Sequence, residues 1–213
     1  MEKARQVFMH GLGQTSSSWD DVLSQLETVD NPICPNISEL MKVDGNGVEY
    51  NSIYSSFSTK LNEESSPLSI CGLSLGGVLA LNFAVDYPEK VESLILIAAQ
   101  YKMPKNLLKL QNIVFRFMPN STFEKIGLKK VDFISLCNSM MAIDFSDSIH
   151  KITCPTLIVC GEKDKANLKS SMALASAIPN AELQMLEGVG HEVNIEAPEK
   201  LAEIISAFYL RIN

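Results

Sequence analysis

Gly72-Leu73-Ser74-Leu75-Gly76 has the residue types of a turn that presents a nucleophile. An apolar run precedes it and a helix-period run follows, the setting that gives a G-x-S-x-G pattern its weight. A serine where a strand turns sharply into a helix sits in strained backbone, so the residues two before and two after it must be small. Gly77 lets the helix approach the sheet, and the helix N-terminus directs its dipole and free N–H groups at the hydroxyl.

A serine hydroxyl needs a base, and neutral imidazole suits that task. Of the three histidines, His191 lies in Gly188-Val189-Gly190-His191-Glu192, a loop small enough to present a side chain. His150 falls among charged and apolar residues ahead of a strand, where a solvated or capping role is expected. His10 is expected to brace the loop His10-Gly11-Leu12-Gly13. The base in turn needs a carboxylate to fix its tautomer. Glu162 and Asp164 both follow an apolar strand and compete for that place. Asp164 is preferred, because the turn must leave the strand before a short side chain can reach His191. Asp144 and Asp147 are expected to be helix-end residues. A developing oxyanion needs two pre-aimed donors; the backbone N–H groups of Leu75 and Leu12 are expected to supply them, leaving two leucine side chains as an apolar floor.

These residues need a scaffold, and the pattern around them supplies one. Short apolar runs alternate with helix-period segments, which predicts an α/β fold, a doubly wound, mostly parallel sheet. Strands are expected at Arg5 to Met9, weakly at Pro32 to Pro35, and at Pro67 to Cys71, Val91 to Ala98, Cys154 to Cys160 and Glu182 to Leu186. Helices are expected after a cap in Thr15–Ser18, then at Tyr50 to Leu61, Val78 to Val85 and Pro198 to Tyr209. A polar loop carries Gly45 and Gly47. From 101 to 149 the alternation stops and helical patterning takes over, with Leu107, Leu108, Leu110, Val114, Phe115, Phe117, Phe123, Ile126 and Phe133 among its apolar positions. Ser121 and Glu124 form a candidate capping box there. An insertion between two strands is expected to be a helical lid over the carboxyl edge of the sheet.

Composition narrows the partners. The 213 residues carry a formal charge of -7, with 25 acidic and 18 basic residues. That balance argues against nucleic acid and anionic membranes, which call for a basic patch; Lys129-Lys130 reads as a solvated helix end. No apolar run approaches a membrane span, and no secretory leader is legible. Five cysteines without a C-x-x-C pair suit a reduced, cytoplasmic compartment. The partner expected is a small-molecule substrate, with no metal or cofactor.

The order Ser74, Asp164, His191, with the H-G-x-G loop and the serine turn, resembles the α/β-hydrolase fold family across essentially the whole chain. The resemblance implies a single domain, 1–213, with the lid at about 101–149, and an acyl-enzyme mechanism on an ester or related bond. Only about nine residues precede His10, so the family's N-terminal hairpin is expected to be missing and the sheet to have about six strands, an edge open to a homodimer partner. The single H-G-L-G loop is similar to that of small carboxylesterases and C–C bond hydrolases. An apolar lid with Arg116 as its only arginine points to uncharged acyl groups. A proton-abstracting lyase, like those of menaquinone synthesis, would want several arginines; the chain has Arg5, Arg116 and Arg211. A ligand-binding protein with vestigial machinery is the third reading.

Overall fold

The computed structural model describes residues 4–27, 29–41, 47–124 and 128–212. Gly45 and Ile126 lie outside the described residues, as does the Leu107 side chain. Five strands form one parallel sheet in chain order: β1 (Arg5–Met9), β2 (Leu68–Leu73), β3 (Val91–Ile97), β4 (Thr156–Gly161) and β5 (Ala181–Leu186). β2 and β4 are buried along their full length, which explains why Ser69 and Thr156 are their only polar residues. A row through Phe8, Cys71, Ile95 and Leu157 packs on one face of the sheet. Val7, Ile70 and Leu94 pack on the other.

The weak strand at Pro32 to Pro35 is the sixth of the expected six, and it shrinks to a single parallel bridge between Ile33 and Val7. Ile33 donates to Gln6 O and accepts from Phe8 N, both at 2.8 Å. The next N–H needed on that side would come from Pro35, which has none, so the ladder stops. Pro155 acts similarly on β4, which begins at Thr156 rather than Cys154.

Between β1 and β2 come a 3-10 turn (Ser16–Trp19), α1 (Asp20–Leu23), α2 (Ile37–Leu40) and α3 (Tyr50–Asn62). α4 (Leu75–Asp86) joins β2 to β3 and starts three residues before the expected Val78, because Ser74 itself is its N-cap position. Three helices separate β3 from β4: α5 (Lys105–Phe117), α6 (Asn120–Glu124) and α7 (Lys130–Met140). α8 (Leu168–Ala177) joins β4 to β5, and α9 (Val193–Glu196) and α10 (Pro198–Ile212) follow. α3, α4 and α8 cover one face of the sheet, burying Phe57, Phe83 and Leu174. Trp19, at the end of the 3-10 turn, and α10 cover the other; Trp19 meets Phe8 edge-on at 5.4 Å between ring centroids.

The inserted helices leave and rejoin the body through a narrow neck. Lys102 and Asp144 form an antiparallel bridge and an ion pair at 2.8 Å, Met103 N donates to Ile143 O, and Phe145 N donates to Tyr101 O. Asp144 is therefore a neck residue and not a helix end, and the adjacent lysine and serine groups hold its carboxyl well below the usual range. Asp147 is exposed in the turn that follows. The capping box does not form: α6 starts at Asn120, which puts Ser121 inside the helix and Glu124 at its end. Phe115, Phe123 and Phe133 pack together at 5.1 to 6.1 Å and form the interior of the insertion. Leu110, Val114 and Phe117, named above among the apolar positions of this stretch, face solvent.

Candidate active site

Ser74 is placed by the collision of two elements. β2 runs straight into α4, and Ser74 takes φ 54 and ψ -115, a region that non-glycine residues rarely occupy. The turn tolerates this only because its neighbours are small. A Cβ on Gly72 would lie 2.3 Å from Gly76 O, and one on Gly76 would lie 2.3 Å from Met9 O. Ser74 is thus held at the end of β2 between β1 and β3, its N donating to Ile97 O of β3 at 2.8 Å.

His191 Nε2 lies 3.1 Å from Ser74 Oγ, and His191 Nδ1 lies 2.7 Å from Asp164 Oδ2. The carboxylate can only accept, so Nδ1 carries the proton and Nε2 is left to receive one. Asp164 donates its backbone N–H to Gly161 O, and the resulting turn carries the carboxylate off the end of β4 towards His191. Glu162 points elsewhere: its Oε2 accepts from Gly188 N at 3.0 Å and holds the loop after β5. Of these two carboxylates, only Asp164 reaches the imidazole.

Asp164 is buried. Burial works to raise its carboxyl, but hydrogen bonds from His191 and Asn167 outweigh that and hold it below its ordinary value. His191 is pushed the other way: the bond to Asp164 raises it above 6.5 against the opposing effect of burial. The histidine keeps 42% of its side-chain surface exposed, so solvent reaches the base.

His10 is buried and braces the first loop, as expected. Its Nδ1 donates to Gly11 O at 2.8 Å and its Nε2 accepts from Ile37 N at 3.0 Å. Burial lowers its pKa, which suits a neutral ring used as a strut. A Cβ on Gly11 would lie 3.4 Å from Ser74 Cβ, so this loop runs directly beside the nucleophile position. Leu75 is the first residue of α4, and its N–H has no carbonyl four residues back within the helix. Leu12 N–H finds no acceptor among the described residues. Leu128, from the inserted helices, shares a small cavity of about 20 Å³ with Gly11 and Leu12, so the insertion reaches over this loop. His150 is exposed in a 3-10 turn ahead of β4.

Four supporting residues escape a reading of the sequence. Asn167 Nδ2 donates to both oxygens of Asp164, at 3.0 and 2.8 Å. Glu196 accepts from Gly190 N at 2.7 Å and Glu192 N at 3.2 Å, gripping the backbone on both sides of His191. Gln14 and Asn194 exchange side-chain amide bonds at 3.1 and 3.2 Å, which ties the loop after β1 to α9. Asn167 alone has a local signal, standing three residues after Asp164 with its N–H on Asp164 Oδ1, an Asx-type turn. The other contacts span more than a hundred residues or depend on a short helix with no periodicity. No cluster of metal-ligating side chains occurs among the described residues.

The family profile described as Hydrolase_4, serine aminopeptidase S33, matches residues 53–148. A monoacylglycerol lipase, ABHD6 of Mus musculus, is 27% identical over 130 residues, covering 59% of this chain and 36% of the lipase. A putative 2-succinyl-6-hydroxy-2,4-cyclohexadiene-1-carboxylate synthase of Bacillus subtilis is 24% identical over 182 residues, covering 68% of this chain and 66% of the synthase. The chain thus spans between 36% and 66% of the length of these two curated relatives. A hydrolase of Pseudomonas aeruginosa superposes with a TM-score of 0.81 at 16% identity, over 98% of this chain and 91% of that one.

Proposed function

Since the chain shares the α/β-hydrolase fold, we propose that it is a serine hydrolase that cleaves a small, apolar ester or related acyl bond. The reading is carried by one observation, the hydrogen-bonded line from Ser74 Oγ through His191 to Asp164 Oδ2, at 3.1 and 2.7 Å. Ser74 Oγ attacks the acyl carbon while its proton passes to His191 Nε2. The charge that develops on the carbonyl oxygen is met by the N–H groups of Leu75 and Leu12. Asp164 stabilises the imidazolium, which then returns its proton to the leaving alkoxide as the acyl–oxygen bond breaks. Water, deprotonated by the same nitrogen, hydrolyses the acyl-enzyme and restores Ser74. No step requires a metal or a redox cofactor. Five free cysteines, three of them buried, support a reducing compartment.

The match to the Bacillus synthase favours one alternative, a lyase or C–C bond hydrolase using the same residues. The arginines weigh against a polyanionic substrate. Arg5 opens β1 and Arg211 pairs with Glu182 at the start of β5, so both lie at the amino edge of the sheet, opposite Ser74. Labelling with a fluorophosphonate tests the nucleophile: Ser74→Ala is expected to abolish it and Ser69→Ala to leave it. Hydrolysis of p-nitrophenyl butyrate above background is expected; turnover confined to short charged esters would overturn the apolar-acyl reading.

A further inference from the structure

α5 is amphipathic twice over. Its inward side carries half-buried Leu108 and Phe115 and buried Asn112, and it packs chiefly on α7. The opposite side exposes Leu110, Ile113, Val114 and Phe117, spaced i, i+3, i+4 and i+7, with Phe117 86% exposed. A helix that leaves four large apolar side chains in one row has an unpartnered face. At 100° per residue, Lys105, Lys109 and Arg116 fall together on one flank between the two faces. None of the three has a carboxylate partner among the described residues. From 101 to 123 the sequence holds four basic residues and no acidic one, in a chain of net charge -7. The whole-chain balance that argued against a basic patch conceals this one.

We propose that α5 docks on an anionic phospholipid bilayer, with its exposed apolar row at the boundary of headgroups and acyl chains and its basic row on the phosphates. Thirteen residues give a helix of about 20 Å, and no helix among the described residues is long and apolar enough to cross a membrane, so α5 lies in the interface plane. Lysine and arginine suit this position because their stems lie along apolar surface while the charges stay with the headgroups. A groove of about 290 Å³ between α5 and α7, lined by Lys109, Arg116, Ile113 and Met141, puts two cations beside apolar side chains, the pairing a phospholipid headgroup presents in mirror image. A second copy of the chain fits less well, because two such faces would bring basic rows together. Lys130 strengthens the platform by donating to Arg116 O and, at 2.9 Å, to Met118 O, which fixes the end of α5 to α7.

Vesicle flotation tests the proposal without reference to catalysis. The protein is expected to float with vesicles of phosphatidylcholine and phosphatidylglycerol in equal parts, and not with phosphatidylcholine alone. Added salt is expected to weaken binding as charges are screened. Ile113→Ser with Phe117→Ser is expected to cut binding roughly tenfold or more, and Lys105→Gln with Lys109→Gln roughly fivefold per charge removed. Thermal melts by circular dichroism check that the variants fold. If one unfolds early, the lipid and salt dependence of the unmodified chain still decides. No flotation, equal flotation with neutral vesicles, or folded variants that bind like the parent would each overturn the proposal. A dimer by sedimentation equilibrium that is lost in Ile113→Ser with Phe117→Ser would reassign the face to a second copy.

Discussion

Asn167 holds both carboxylate oxygens of Asp164 and lies 3.2 Å from His191 Nδ1, so a change that does not touch Ser74 is expected to register there. Hydrogen bonds to charged groups contribute about 1.5–3 kcal/mol. Asn167→Ala is therefore expected to lower kcat by roughly tenfold or more with little effect on KM, measured by steady-state ester hydrolysis. The pH profile has a fixed sign. His191 acts as base only when neutral, so activity rises with pH through its pKa, and Asp164 holds that pKa above 6.5. Asp164→Asn removes the main cause of the elevation. The acid limb is then expected to move to lower pH while kcat falls by about four orders of magnitude; a limb that stays in place would remove Asp164 from its role. At this scale the sequence was legible where a residue had a local steric or positional reason. Ser74 had its glycines and His191 its loop. Asp164 and Glu162 stood two residues apart on the same turn, and only the direction in which that turn leaves β4 separates them.

Elements meet most tightly where glycine lets backbone touch backbone. A Cβ on Gly161 would lie 2.1 Å from Gly190 O, so the end of β4 and the loop bearing His191 share space that no other residue could leave open. Gly161→Ala is expected to destabilise by about 2–4 kcal/mol through overpacking and to displace the base. Gly188→Ala makes a contrast: nothing lies within 4 Å of an added Cβ, and only its φ of +75 resists substitution. That change is expected to cost about 1–2 kcal/mol with activity retained; urea unfolding and ester hydrolysis separate the two cases. Strand positions were read from apolar runs to within a few residues, because burial on both faces writes itself into every position. The strand at Pro32 to Pro35 failed because Pro35 lacks a donor, and α6 began before its supposed cap. Such ends are fixed by single hydrogen bonds, which periodicity does not carry.

Across the whole molecule, the two sheet faces and the order of the chain were legible because alternating apolar segments leave few ways to cover a parallel sheet. The distribution of charge was not, since a sum over the chain averages an acidic body with a basic α5. The neck formed by Tyr101–Met103 and Ile143–Phe145 has a consequence at the same scale. Both ends of the insertion are joined side by side, and α7 keeps its own seat on α3. The stretch from 104 to 129 is thus a tethered excursion, and loop-closure entropy makes its length inexpensive. Doubling it with a Gly/Ser segment is expected to cost roughly 0.6 kcal/mol, measured by urea unfolding. Because the neck fixes both ends, length can be added to or removed from the excursion without moving the strained serine at the end of β2.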